Sequence, residues 1–162
     1  MAKKTKNNDN EKTNVMRLLE QNKIDYIPRW YDPEVTTGVS VAELLGEETD
    51  MVFKTLVAES GSGEHFVFVI PVAETLDLKK AAKAAGVKSI AMLKQKELLP
   101  LTGYIHGGCS PVGMKKPFPT FIDETALLLD KICVSAGRVG AQVQVNPEAL
   151  ADLIGAEFKD LV

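Results

Sequence analysis

The chain has 162 residues, of which 45% are hydrophobic, so it can bury a core of its own, and its length favours one compact domain. Its 22 acidic and 19 basic residues give a net charge of -3, which argues against broad, non-specific binding to a nucleic-acid backbone. No stretch approaches the roughly 18 apolar residues of a membrane span or the apolar run of a secretory signal. Two cysteines are too few for a disulfide scaffold. We expect a cytoplasmic protein with no membrane partner.

The N-terminal segment differs in composition from the rest. The first fourteen residues hold four lysines and four asparagines, and no apolar residue follows Ala2. Such a segment cannot offset the entropy cost of ordering by burial. We predict a disordered tail over residues 1–12 and a single domain over residues 13–162.

The first half of the domain predicts a helix, a strand, a second helix and a hairpin. Apolar residues recur at helical spacing over 13–22, and residues 25–31 have the composition of a strand. A short helix is expected over 39–45. The β-rich runs 51–58 and 65–72 are joined by a loop with two glycines, which favours a β-hairpin.

The second half continues to mix helices and strands. Asp77 can cap a helix whose apolar residues recur at i, i+3, i+4 and i+7, and Gly86 can end it. The remaining predicted elements are a strand over 87–93, a short helix over 94–101 that Pro100 interrupts, strands over 118–122, 131–135 and 142–145, and a helix from the Asn146 cap to Gly155. This order predicts an α+β fold, with a mixed, barrel-like sheet flanked by helices.

Lys54 lies in a predicted strand that carries apolar residues on both faces. Its neighbours on one face are Val52, Leu56 and Ala58. Burying an ammonium group is costly, so this setting indicates either a functional site or an edge where the side chain reaches water. The residues alone leave both interpretations open.

Residues 103–117 form the second candidate feature. They contain four glycines and two prolines in fifteen residues, which is typical of a loop with an unusual, fixed backbone. Exposed N–H groups in such a loop can converge on an anion or a developing oxyanion. An ordinary glycine-rich turn is the alternative.

Other chemistries find less support in the sequence. Cys109 could be a nucleophile only with an activating base, and His106, three residues earlier, is a neighbour in sequence, which does not make the two a catalytic pair. A zinc site built from His65, His106, Cys109 and Cys133 would lack the paired spacing of structural zinc. We expect no metal and no cofactor.

Basic residues cluster in two places. One cluster consists of Lys79, Lys80, Lys83 and Lys88, and the other consists of Lys115, Lys116 and Arg138. Each can be a phosphate-binding patch or an ordinary solvated face, and charge alone does not separate the two.

Three segments together resemble the YbaK/EbsC family of aminoacyl-tRNA deacylases. They are FKTL at 53–56, LDLKKAAK at 76–83 and GYIHGGCSPVG at 103–113. The similarity continues through Lys115, Lys116, PTFID at 119–123 and VSAG at 134–137, and it covers about residues 13 to 160. The order and spacing of these segments make the match specific.

The resemblance implies a trans-editing deacylase for mischarged tRNA, chiefly Cys-tRNA(Pro) and also Cys-tRNA(Cys). In this family the thiol of the cysteine substrate is thought to attack its own carbonyl, so no protein nucleophile or cofactor is required. The implied partners are aminoacyl-tRNA and, as a candidate, prolyl-tRNA synthetase. Editing of Ala-tRNA(Pro) and a non-catalytic module that binds tRNA or a synthetase are the alternatives.

The resemblance also implies site residues. The essential lysine of the family falls on Lys54, its strand tyrosine on Tyr31, its amide-donating glycines on Gly107 and Gly108, and its late serine on Ser135.

Three further residues are expected to bind substrate, and two of them depart from the family. They are Ser110, Arg138 and Gln142. Family members often carry an acidic residue where this chain has Gln142, and a Lys-Arg pair where it has Arg138 and Val139. The glutamine is the best support for the non-catalytic alternative.

Overall fold

A computed structural model describes residues 11–32, 34, 42, 43, 46 and 50–162. In chain order the elements are α1 (Asn14–Gln21), β1 (Tyr26–Trp30), β2 (Phe53–Ser60), β3 (His65–Pro71), α2 (Leu78–Ala85), β4 (Ile90–Met92), α3 (Gln95–Thr102), β5 (Thr120–Asp123), a 3-10 helix (Glu124–Leu128), β6 (Ile132–Ser135), β7 (Ala141–Val145), α4 (Pro147–Ile154) and β8 (Glu157–Lys159). Most of the tail predicted over residues 1–12 lies outside the described residues.

Helix ends follow the capping chemistry of the sequence. The side chains of Thr13, Asp77 and Asn146 each accept a backbone N–H at the start of α1, α2 and α4. Gly86 and Gly155 end α2 and α4 with left-handed φ angles of 72° and 67°. The predictions for these three helices are confirmed.

Several boundaries differ from the sequence prediction. The strand expected over 87–93 is limited to β4, and β8 and the 3-10 helix were not predicted. Pro100 does not interrupt α3, which continues to Thr102; a proline at this position removes one intrahelical hydrogen bond. Of the helix predicted over 39–45, Ala42 and Glu43 are described, and both are helical. The rest of that prediction lies outside the described residues.

The strands form two sheets. The smaller sheet has the order β1-β7-β6 and is antiparallel throughout. The larger has the order β4-β2-β3-β5-β8, in which β2 and β3 form the predicted hairpin and β5 pairs in parallel with both β3 and β8. The α+β prediction is confirmed, whereas the described strands do not close into a barrel.

The two sheets meet where β2 begins. Val52 and Cys133 form a parallel bridge, and the Cys133 N–H donates to the Met51 carbonyl at 2.8 Å. β2 of the larger sheet therefore starts beside β6 of the smaller one, and the strands β1, β7, β6 and β2 follow one another in space.

Both sheets turn one face towards the main core. Val134 and Val143 of the smaller sheet lie in the same cluster as Phe53, Val57 and Val67 of the larger one. The opposite face of the larger sheet is apolar as well, and it packs against α2 in a second cluster. None of the helices in the described residues has the length and hydrophobicity to span a bilayer.

Candidate active site

A row of polar side chains crosses four neighbouring strands on the face opposite the main core. Arg29 pairs with Gln142, and Gln142 pairs with Ser135. Lys54 and Ser135 each lie two residues beyond the bridge between Val52 and Cys133, so they point to the same side. We call Arg29, Gln142, Ser135 and Lys54 the polar row.

The polar row is largely shielded from water. Gln142 is only 6% exposed, and Arg29, Ser135 and Lys54 are half-buried. Ala42 packs with Val52 and Cys133 on the same face, so part of the chain between β1 and β2 lies over it. The polar row is thus formed by three residues of the smaller sheet and by Lys54, near the start of β2 in the larger sheet.

Gln142 has an unusual hydrogen-bonding state. Its Oε1 is buried and has no hydrogen-bond partner among the described residues. The neighbouring Ser135 hydroxyl accepts the Gly137 N–H at 3.2 Å. Because an unpaired buried acceptor costs roughly 1–3 kcal/mol, Gln142 is a position that a ligand donor could satisfy.

Lys54 supplies a cation at one end of the polar row. Burial lowers the pKa of its ammonium group, and the Glu74 carboxylate partly opposes that shift. A partly desolvated cation interacts more strongly with a developing negative charge than one in bulk water.

Tyr31 and the glycine loop both contact the turn between β6 and β7. The Tyr31 N–H donates to the Gly140 carbonyl at 3.0 Å. A Cβ atom placed on Gly108 would lie 2.9 Å from the Val139 backbone nitrogen, so the loop rests directly on this turn. Of the eight predicted site residues, the structure thus places Tyr31, Gly107, Gly108 and Arg138 at this turn and Lys54, Ser135 and Gln142 in the polar row.

The two adjacent glycines differ in their hydrogen bonding. The Gly108 N–H donates to the Ile105 carbonyl at 3.0 Å, which closes a turn inside the loop. Gly107 is exposed with a φ of +86°, and its N–H has no acceptor within the described part of the chain. The geometry therefore distinguishes Gly107 as the amide available to a ligand.

Arg138 and Ser110 make structural contacts outside the polar row. The Arg138 guanidinium lies 5.5 Å from the centre of the Trp30 ring, which packs against the main core. Ser110 is 0% exposed, and its hydroxyl accepts the Val112 N–H at 3.2 Å. Their roles in substrate binding stay predictions.

The cysteines are poorly placed for nucleophilic chemistry. Burial raises the pKa of Cys109 to about 12, whereas His106 is exposed. Cys133 is fully buried. No three metal-ligating side chains converge anywhere in residues 11–32 and 50–162.

Sequence reasoning missed two residues of this region, Arg29 and Glu74. Arg29 precedes Tyr31 by two positions in a predicted strand, and that alternation could have identified it as a neighbour on the same face. Glu74 follows β3, and no local pattern places it near Lys54.

A cavity of about 320 Å³ is lined in part by Glu74. Asp50, Pro71, Leu128 and Val162 are among its lining residues, and no residue of the polar row lines it. This cavity therefore reaches the carboxylate near Lys54 without including the polar row itself.

Comparisons with known proteins agree on one family. Residues 32–153 match the model of the aminoacyl-tRNA editing domain. The chain is 45% identical over 164 residues to EbsC of Enterococcus faecalis, which carries the provisional name of a Cys-tRNA(Pro)/Cys-tRNA(Cys) deacylase; the alignment covers 99% of this chain and 98% of EbsC.

More distant similarity links the chain to prolyl-tRNA synthetases. It is 29% identical over 130 residues to the proline-tRNA ligase of Shouchella clausii, which covers 80% of this chain and 22% of the ligase. A crystal structure described as that of a provisional trans-editing enzyme for prolyl tRNA synthetase superposes with a TM-score of 0.79 at 27% identity, covering 91% of this chain and 93% of the other.

Replacing Gln142 by methionine should raise the free energy of unfolding by about 1 kcal/mol, since it removes an unpaired buried acceptor and keeps a side chain of similar length. Gln144→Met is the matched control, because Gln144 lies on the same face of β7 and makes a polar interaction. Urea denaturation measures both. A Gln142→Met protein that is less stable than the parent would show that the amide is satisfied in solution.

Gly108→Ala should weaken the docking of the glycine loop. Its methyl group would press on backbone atoms of Arg138 and Val139 at 2.9 to 3.0 Å, which cannot rotate away. We expect a large loss of deacylation with a smaller loss of stability. Gly61→Ala is the control, because its methyl group would meet only the Ser89 hydroxyl. Full activity in Gly108→Ala would exclude a functional role for the contact.

Proposed function

Because the chain belongs to the aminoacyl-tRNA editing family, as its motifs predicted, we propose that it is a trans-editing deacylase for mischarged tRNA, chiefly Cys-tRNA(Pro) and also Cys-tRNA(Cys). The observation that carries the proposal is the polar row, which brings a half-buried lysine, a serine and a buried amide together on neighbouring strands, while the glycine loop contacts the turn that joins two of those strands. Similarity to EbsC over nearly the full length of both chains favours this substrate over the synthetase's own reaction.

The reaction cleaves an ester between an amino acid and the terminal ribose of tRNA. In our proposal the Lys54 ammonium contacts the ester carbonyl, where negative charge develops as the carbonyl carbon becomes tetrahedral. The Gly107 N–H is the second donor to that oxygen. Gly108 contributes by its lack of a side chain, which lets the loop approach the turn between β6 and β7.

The attacking group comes from the substrate. Neither cysteine of this chain offers an accessible thiolate, because Cys109 has a pKa raised to about 12 by burial and Cys133 is fully buried. The thiol of the cysteinyl group is positioned to attack its own carbonyl. A C–S bond forms, the C–O bond to ribose breaks, and the thiol proton passes to the ribose oxygen. Water then opens the released thiolactone to free cysteine.

Two other functions would use the same fold. An editing enzyme for Ala-tRNA(Pro) would discriminate by pocket size, and one methylene group is worth only about 1–3 kcal/mol there. A non-catalytic module would bind tRNA or a synthetase without turnover. Measuring deacylation of Cys-tRNA(Pro), Ala-tRNA(Pro) and Pro-tRNA(Pro) by the purified chain separates the three functions, because the module cleaves none of them.

Prolyl-tRNA synthetase is the partner that we propose in the cell, and the cytoplasm is the compartment. The similarity to prolyl-tRNA ligases supports an origin in common with their editing regions. The low net charge supports weak intrinsic affinity for tRNA, which a complex with the synthetase would compensate.

Cys-tRNA(Pro) should be cleaved much faster than Ser-tRNA(Pro). The serine hydroxyl has a similar shape but is a far weaker nucleophile than a thiol with a few per cent thiolate at neutral pH. Early quenching and mass spectrometry should detect cysteine thiolactone as the first product. Cleavage of both substrates at comparable rates, with solvent oxygen-18 in the cysteine of the first turnover, would show that water attacks directly.

The pH dependence of turnover should report the charge of Lys54. Because burial lowers its pKa, activity should fall on the alkaline side at a pH below the usual value for lysine. Glu74→Gln removes the carboxylate that supports the charged form, so the alkaline limb should move to lower pH. Glu64→Gln, in the exposed hairpin loop, is the control, and spontaneous hydrolysis is subtracted at each pH.

The Lys54→Ala variant tests directly whether the lysine is needed for deacylation. It should abolish deacylation and change the unfolding midpoint little, because the lysine is half-buried and its removal leaves no large apolar cavity. Activity like that of the parent would remove Lys54 from the mechanism.

A further inference from the structure

The polar row has a fixed spacing along the sheet. Neighbouring paired strands lie about 4.8 Å apart, so Gln142 is about one strand spacing from Ser135. Arg29 lies one strand further on. Lys54 lies on the other side of Ser135, two residues beyond the isolated bridge between Val52 and Cys133. A ligand laid across the strands would meet Lys54, Ser135 and Gln142 in that order.

An aminoacyl ester of adenosine has its groups in a matching order. The ester carbonyl is followed by the ribose, and the base lies on the far side of the ribose. If the carbonyl lies at Lys54, as proposed above, the ribose falls at Ser135 and the base falls at Gln142. Every tRNA ends in an unpaired adenosine, so the base at this place is adenine.

The side chain of Gln142 has the groups that adenine requires. Adenine presents a donor at its N6 amino group and an acceptor at N7, and a glutamine amide pairs with both. Bases in single strands are commonly read on these exposed edges. The buried Oε1 of Gln142, which lacks a partner among the described residues, is the acceptor that the N6 amino group needs.

We propose that Gln142 binds the adenine of the 3′-terminal adenosine, with Oε1 accepting from the N6 amino group and Nε2 donating to N7. This proposal rests on the proposed function. A role in holding the substrate's ammonium group is disfavoured, because Lys54 and Arg29 are cationic and lie on either side of Gln142 in the polar row. The ribose hydroxyl is closer to Ser135 than to Gln142. Gln142 is thus a specificity-determining residue for the nucleotide end of the substrate.

The test compares cysteinyl esters of two trinucleotides, one ending in adenosine and one ending in inosine. Inosine keeps N7 but replaces the N6 donor by an acceptor. The parent protein should show a kcat/KM about 5- to 150-fold higher for the adenosine ester, the range expected for one bidentate contact with a base. In Gln142→Met this ratio should fall to about 1. In the control Gln144→Met, which alters the same face of β7, the ratio should be unchanged.

Two kinetic outcomes would overturn the proposal. In one, the parent protein cleaves both esters equally well. In the other, Gln142→Met keeps the preference for adenosine. A drop in both rates of Gln142→Met by the same factor, with the preference retained, would assign the residue to structure alone.

A binding measurement separates this proposal from the proposed function. The uncharged trinucleotides CCA and CC-inosine are titrated against the parent protein and Gln142→Met, and binding is followed by amide chemical shifts. Tighter binding of CCA by the parent protein, lost in Gln142→Met, supports adenine recognition even if no ester is cleaved. Equal affinity for both trinucleotides overturns it even if mischarged tRNA is deacylated.

Discussion

The site depends on the register of four neighbouring strands, β1, β7, β6 and β2. Because side chains alternate between the faces of a strand, the register that places Val134 and Val143 in the core also places Ser135 and Gln142 together on the other face. A slip by one residue would exchange the two sets. Apolar burial, at roughly 25 cal/mol per Å², therefore fixes the positions of polar side chains that contribute little to stability themselves.

The glycine loop packs closely against the turn between β6 and β7. At Gly108 the loop backbone comes so near to the turn between β6 and β7 that a methyl group would meet atoms of Arg138 and Val139. Arg138 is in turn held against Trp30 at the end of β1. The turn thus joins the loop to β6 and β7, two of the strands of the polar row, and a Cβ atom placed on Gly107 would lie 3.5 Å from the Val139 side chain of this turn.

The local parts of this arrangement could be predicted from the sequence, and the long-range parts could not. Caps such as Asp77 and Asn146 act within four residues, so their helices were found. The bridge between Val52 and Cys133 joins segments far apart in sequence, and the residues of neither segment predict which strand it pairs with. The family resemblance supplied Lys54 and Ser135 as separate positions. Their place in one row with Arg29 required the register of the sheet.

The outer faces of the two sheets differ in polarity. The outer face of the larger sheet is filled by apolar residues such as Phe68 and Ile70, so the fold can cover such a face without polar groups. The outer face of the smaller sheet instead carries the buried amide oxygen of Gln142, which has no partner among the described residues. The partly desolvated Lys54 lies next to that face, where β2 of the larger sheet begins, and both groups reduce stability. A ligand that donates a hydrogen bond to Gln142 removes one of these costs. The hydrogen bond to Gln142 Oε1 therefore adds to the binding free energy of such a ligand. A ligand that has no donor at this place binds without that contribution.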